Sequence, residues 1–501
     1  MGGRAKFVPG IPQVRSRVAA LDFGVAEVGP LSRPTGWRRH FAAETPARIR
    51  LLALSIGTLV IAWAAVLGVE TQQARAGLAA ISDRRAPVVM AASDLYFVLN
   101  DMDAQLANVL LVGDEAHLGF TRSQAVDIFE RRRMQGDADL QQVAAAAADP
   151  SGVRVVRGLL DELGRYEALA ADVLLLQKQD GSPAGQPPTA ALTEYRSATD
   201  LLRLTLLPAA RSLVDQQAQT LEADYQAEHA RAQAMLATTI VLGIVLLFLL
   251  VLLQVYLTRR FQRLVNPALV AASLVVLGLL TAGVALAGGH EERLRTAKKD
   301  AFDSIMVLEQ ARAVSYDANA DESRYLLDPH RAGQYEQAFL AKTQQVLGLD
   351  GATLATFDQR FDAAALAYDR DHRQVGWGGY LGSEFRNITF GGERAAAELT
   401  LDRYQIYQAD DRRIRRLVTS GQQRAAIAFC TSYAPGASNY AFDQYDTALT
   451  ALIGINEKAF QTAVRDDERN LTRWILVPGA GALAVVLLLF LGLRPRLAEY
   501  R

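Results

Sequence analysis

Four long stretches without a charged side chain decide what this chain can fold into. They run Leu51–Val69 ("LLALSIGTLVIAWAAVLGV"), Ala232–Thr258, Leu264–Gly289 and Trp474–Leu493. An α-helix needs about 20 predominantly apolar residues to cross a bilayer, and each stretch meets that length. The net charge of -1 and the mean hydropathy of +0.07 conceal the pattern, because they average it with polar regions. The spacing predicts spans at 51–69, 232–257, 265–289 and 474–493.

Arginines give the expected orientation. Lys and Arg collect in short loops on the cytoplasmic side of a membrane. Arg38, Arg39, Arg48 and Arg50 precede the first span; Arg259, Arg260 and Arg263 lie in the seven-residue clasp 258–264; Arg494, Arg496 and Arg501 follow the last span. Four spans place all three segments on one side. The expectation is a multi-pass cell-membrane protein with both termini and the clasp in the cytoplasm, and with regions 70–231 and 290–473 outside. Residues 1–50 are rich in Gly, Pro and Arg without a sustained period, and read as a disordered basic tail. The tail 494–501 is short.

The chain reads as a duplication. "LNDMDAQLANVLLVGD" (Leu99–Asp114) can be laid on "SYDANADESRYLLDPH" (Ser315–His330), which sets Asp101 on Asp317, 216 positions apart. "RYEALAAD" (Arg165–Asp172) lies on "RYQIYQAD" (Arg403–Asp410), 238 apart, so the second copy has gained about 22 residues between the two matches. Matched order and a repeated membrane layout support one ancestral unit used twice.

Each outer region has helical spacing of apolar residues. Leu95, Val98, Met102, Leu106 and Val109 form one stripe; Phe442, Tyr445, Leu449, Leu452 and Phe460 form another, interrupted by Asn456. Regions of this length that leave and re-enter the same membrane surface suit up-down bundles of about four helices. The predicted fold class is an all-α integral membrane protein: four transmembrane helices and two duplicated extracytoplasmic four-helix-bundle sensor domains. This layout resembles the ligand-binding regions of bacterial chemoreceptors and sensor kinases. That resemblance implies small helix movements passed through the membrane, with the clasp joining two halves of a built-in dimer.

Catalysis needs clustered groups, and the sequence shows none. Six histidines are scattered, no nucleotide-binding, metalloprotease or nucleophile-elbow motif occurs, and Cys430 is the single cysteine. The expectation is a protein without enzyme activity, cofactor or metal, and without nucleic acid among its partners. The spans carry no ionisable side chain, which argues against a transport core.

Two surfaces stand out as candidates. "GWGGYLGSEFRNITFGGER" (Gly376–Arg394) falls where the second copy is longer. Its composition suits either a partner-binding surface using Trp377, Tyr380, Phe385, Arg386 and Phe390, or a helix connection whose aromatics cap the core. Arg312, Tyr316, Asn319 and Ser323 share one helix face, which reads either as a ligand face gripping a carboxylate or as a solvated or inter-copy face.

The stretches "GWGGYLGSEFRNITFGGERAAAE" and "FCTSYAPGASNYAFDQYD" resemble those of the actinobacterial GlnX-type four-span membrane proteins. The resemblance implies action beside an extracytoplasmic amino-acid-binding lipoprotein, and relay of aspartate or glutamate availability to the cytoplasmic serine/threonine protein kinase G. No kinase or cyclase region is present in the chain, so the output is expected to pass to a separate protein. An envelope scaffold without ligand, and a direct small-molecule sensor of the chemoreceptor-bundle type, stand as alternatives.

Overall fold

A computed structural model describes residues 45–115, 118–146, 150–261 and 266–498. The basic tail up to residue 44, the core of the clasp and the last three residues lie outside them. Among the described residues the chain is helical, with a single isolated bridge between Gly348 and Gly378. The elements are α1 (Thr45–Ala79), α2 (Ala86–Val112), α3 (Arg122–Ala146), α4 (Pro150–Asp180), α5 (Thr189–Leu201) and α6 (Leu207–Phe261) in the first copy. The second contains α7 (Pro267–Arg295), α8 (Asp303–Leu327), α9 (Ala332–Val346), α10 (Phe357–Arg370), α11 (Gly379–Asn387), α12 (Glu393–Thr419), α13 (Gln423–Thr431), α14 (Ser438–Trp474) and α15 (Val477–Ala498).

Four near-continuous rods organise the molecule: Ala47–Val112, Thr189–Arg259, Pro267–Leu327 and Ser438–Pro495, each with a segment long and apolar enough to cross a membrane. The shortest holds 58 residues and the longest 71. At 1.5 Å per residue they reach roughly 90 to 105 Å, about three times the ~30 Å hydrocarbon thickness. Each rod therefore serves both as a span and as a helix of the head. This is an all-α membrane protein, as the charge-free runs require.

Local chemistry explains where the rods start and bend. The third begins at the clasp because Asn266 caps it, its side chain accepting from the Ala268 N–H at 3.1 Å, and because Pro267 sits where a missing N–H costs nothing. Three rods carry a π-helical turn: Ala80–Arg85, Leu202–Leu206 and Thr296–Phe302. The first two precede Pro87 and Pro208, which cannot donate to the carbonyl four residues back, so the ladder slips locally. The third has no such proline, and nothing nearby explains it. Ala80 and Thr296 are nonetheless 216 positions apart, the same offset as Asp101 and Asp317. The duplication thus extends to a backbone irregularity.

The spans pack through buried residues at helical spacing: Ile56, Val60, Trp63 and Leu67 on α1, with Leu246, Leu250, Leu253 and Leu257 on α6. Leu269, Ala272 and Val276 on α7 meet Val485 and Leu489 on α15. Leu54, Ile61, Phe248, Leu274 and Phe490 point outward, as a lipid-facing surface demands. Glycine permits the closest approaches: a Cβ on Gly481 would stand 2.4 Å from the Leu279 side chain, and one on Gly243 2.7 Å from Leu280.

The heads differ in plan. In the first copy α2, α3, α4 and the α5–α6 rod form the expected four-helix bundle. In the second, α9, α10 and α11 stand where the first has α3, and α13 bridges α12 and α14. The predicted stripes are buried as read, from Leu95 to Val109 and from Phe442 to Leu452, with Asn456 buried among them and Phe460 partly so. One apolar core runs from the first copy into the second, joining Leu106 and Leu110 to Met306, Leu326 and Ile427.

Candidate functional site between the two copies

The centre of the head is polar, and it lies on the seam. Arg324 on α8 is fully buried and donates to Asp103 on α2 of the other copy at 2.7 and 3.1 Å. It also pairs with Asp317 and Asp321 on its own helix, and Lys342 on α9 pairs with the same two carboxylates. Asp103 accepts further hydrogen bonds from Thr199 (2.8 Å), Tyr195 (3.2 Å) and Tyr166 (3.5 Å). Burial by itself would raise Asp317, but the charges of Lys342 and Arg324 hold it below the usual carboxylate range. Burial raises the hydroxyls of Tyr166 and Tyr195, and the charge of Asp103 raises them further, so both remain donors. A charged group buried this deeply persists only where partners surround it. Here those partners come from both copies.

Further contacts tie the seam along its length. Ser323 donates to Asn108 at 2.9 Å. Arg196 on α5 forks onto Asp328 at 2.7 and 2.6 Å, and Arg331 answers by binding Asp200 at 3.0 Å. Lys299 reaches Glu222 at 3.1 Å. Phe97 meets Tyr316 edge-on, with ring centroids 4.6 Å apart.

Arg312, Tyr316 and Asn319, read from the sequence as a ligand face or as a solvated or inter-copy face, lie on that seam. Arg312 does grip a carboxylate, but it is Asp446 of its own copy, at 2.7 and 3.2 Å, and the Tyr316 hydroxyl donates to the same group at 3.0 Å. The Arg312 guanidinium also covers the Phe97 ring at 4.3 Å. Asn319 is buried, and its amide nitrogen has no hydrogen-bond partner. The ligand-face reading is corrected accordingly: an internal aspartate occupies the Arg312 grip.

The glycine-aromatic insert is corrected in part as well. Trp377 and Phe385 are buried in the second copy's core, their rings edge-to-face at 5.1 Å, with Tyr368 against both. Side chains in that position offer a partner no surface. The glycines have a backbone reason. A Cβ at Gly379 (φ +71°) would lie 2.5 Å from the Gln345 carbonyl oxygen, and one at Gly382 2.4 Å from the Trp377 carbonyl oxygen. Arg386 is exposed and donates back to the Trp377 carbonyl at 3.1 Å; Phe390 is half-buried beside the start of α12. Tyr380, half-buried, is the member of the set that reaches the seam.

A third polar cluster lay beyond sequence reasoning. Where the rods leave the predicted spans, His290 on α7 is fully buried between Asp467 on α14, 2.6 Å from its Nδ1, and Glu228 on α6, 3.7 Å from its Nε2. Glu228 lies on Gly77 of α1, where a Cβ would come within 1.9 Å of its carboxylate. Arg231 is 3.0 Å from Glu228, and Arg293 is 3.9 Å from Asp467. Four rods therefore meet around one imidazole. Burial opposes its charge, but the bonds to Asp467 and Glu228 win and raise it to about 9. A raised histidine contributes stability in full below its ordinary value near 6.5, and that contribution is lost as pH climbs through about 9. The unfolding midpoint is thus expected to fall between about pH 7 and 9 in the natural protein, and to lose most of that slope in His290→Gln. Thermal scans of both in detergent check this; equal slopes would contradict it.

Residues 77–226 match the family model described as an actinobacterial sensor domain. The matched segment runs from the end of α1 through the first head bundle into α6. No curated protein matches, and no solved structure matches. The match and the four membrane-length helices fit a multi-pass membrane protein with a sensing role.

Proposed function

We propose that this chain is a non-enzymatic signalling protein of the cell membrane that relays extracytoplasmic amino-acid availability to a cytoplasmic serine/threonine kinase pathway. In this reading both termini and the clasp are cytoplasmic. A solute-binding lipoprotein carrying aspartate or glutamate engages the head, in the manner of the GlnX-type proteins. The observation that carries the reading is the continuity of the rods. The helices that carry Asp103, Thr199 and Arg324 are each the extension of a span, so a shift between copies in the head moves the clasp end directly. The sensor-domain match favours this over an inert envelope scaffold. With Trp377 and Phe385 in the core, a docking partner has Tyr380, Arg386 and Phe390 at the rim of the insert. Direct sensing is a second reading, favoured by a cleft between the copies.

Single cysteines in a Cys430→Ala background test the arrangement. Gln262→Cys and Glu499→Cys are expected to stay shielded from an impermeant thiol reagent in whole cells, whereas the exposed positions Gln186→Cys and Ala434→Cys are labelled. Labelling at Gln262 would overturn the topology. Pull-down of the lipoprotein only when it is loaded with amino acid supports the relay; ligand-independent capture favours a scaffold.

A further inference from the structure

A cleft opens on one side of the seam, walled by α2 and α6 of the first copy and by α8 and α11 of the second. Its polar residues are Glu309 and Gln310 on α8, Arg211 and Asp215 on α6, and the rings of Tyr96 and Tyr380. Glu309 has a buried carboxylate oxygen without a hydrogen-bond partner. Burial pushes this acid up to about 7, and the charge of Arg312 offsets that only in part, because its guanidinium is committed to Asp446. Arg211 faces the cleft and forms no ion pair among the described residues. A buried carboxylate oxygen without a partner is costly, and the exposed Arg211 on the other wall holds a guanidinium free to take a ligand's carboxylate.

The duplication shows what fills the equivalent position elsewhere. At the 216-residue offset Tyr96 corresponds to Arg312, and Arg312 is locked onto Asp446 and Phe97. On that side the protein supplies its own charge pair. On the Tyr96 side it does not, and Tyr380 comes from the insert that only the second copy possesses.

We propose that this cleft binds a small zwitterion of the neutral α-amino-acid or betaine class, its ammonium on Glu309 and its carboxylate on Arg211. Tyr96 and Tyr380 offer ring faces to the cationic end. Asp215 adds negative charge beside Arg211, which disfavours a ligand with a second carboxylate. The space is tight: about 360 Å³ of empty volume open to solvent, with clearance for little more than one water (≈ 20 Å³). A ligand therefore enters by easing α6 from α8, and this displacement is the one the rods transmit. The site rests on the sensor reading for its purpose but not for its existence.

The test uses the full chain in lipid nanodiscs with glycine, alanine or glycine betaine at up to about 10 mM, enough to reveal weak binding as a thermal shift. All three are expected to raise the unfolding midpoint, while acetate and methylammonium, each half of the ligand, leave it unmoved. Glu309→Gln and the solvent-facing Arg211→Gln should each weaken binding by about tenfold or more. No shift from any zwitterion, an equal shift from methylammonium, or undiminished binding in Arg211→Gln overturns the site. A shift without any change in a fluorophore at Arg259→Cys supports the site and counts against the relay instead.

Discussion

Arg324→Met is expected to cost the head about 3–5 kcal/mol, the range found when one partner of a buried ion pair is removed. Arg324 is fully buried, and it faces Asp103, Asp317 and Asp321. Without it, Asp317 and Asp321 share Lys342 as their remaining close cation, and Asp103 keeps only neutral donors. For a unit of this size the unfolding midpoint falls by on the order of 10 °C. Arg324→Met combined with Asp103→Asn removes one stranded charge while leaving Tyr195 and Thr199 an acceptor, so part of the loss returns. A double-mutant cycle on thermal midpoints measures this. A single variant as stable as the natural protein would mean that the seam does not depend on the network.

Trp377→Ala carries the second large effect, about 3–5 kcal/mol, as expected for deleting a large aromatic from a packed core. The indole is 2% exposed and meets Phe385 and Tyr368 with ring centroids 5.1 and 5.4 Å away. Tyr380→Ala, three residues on, is expected to cost less, about 1–2 kcal/mol, because its ring packs only at the edge of that core and stays half-exposed. The contrast separates packing from docking. In a packing role Trp377→Ala lowers the midpoint and Trp377→Phe restores most of it. In a docking role Trp377→Ala leaves the midpoint alone and abolishes partner capture.

These two residues also mark where the sequence was legible and where it was not. The spans were plain, because a helix that stays in water seldom runs near 20 residues without a charge. The duplication was visible from Asp101 and Asp317, and the shared offset of the π-turns at Ala80 and Thr296 extends it. The insert misled in part, because glycines with aromatics look alike whether they hold a backbone close to α9 or form a contact surface. The face of Arg312 and Tyr316 was ambiguous for another reason: helical spacing shows which residues share a face, not what that face meets. The Arg324 network did leave a signal. Asp317, Asp321 and Arg324 stand 4 and 3 apart inside one helix, and at the 216-residue offset they lie on Asp101, Gln105 and Asn108, so both copies carry a polar stripe there. A polar stripe repeated in both copies suits a shared face, and there Arg324 finds Asp103. The neck around His290 left none, because its residues come from four distant parts of the chain.

The central claim is that the two copies form one internally paired head, bound across the seam. Its most direct test cuts the chain within residues 258–264 and co-expresses the two halves with different tags. The halves are predicted to co-purify in equal amounts in mild detergent, and to come apart when the second carries Arg324→Met. Natural halves that migrate separately, or a pairing indifferent to Arg324, would contradict it.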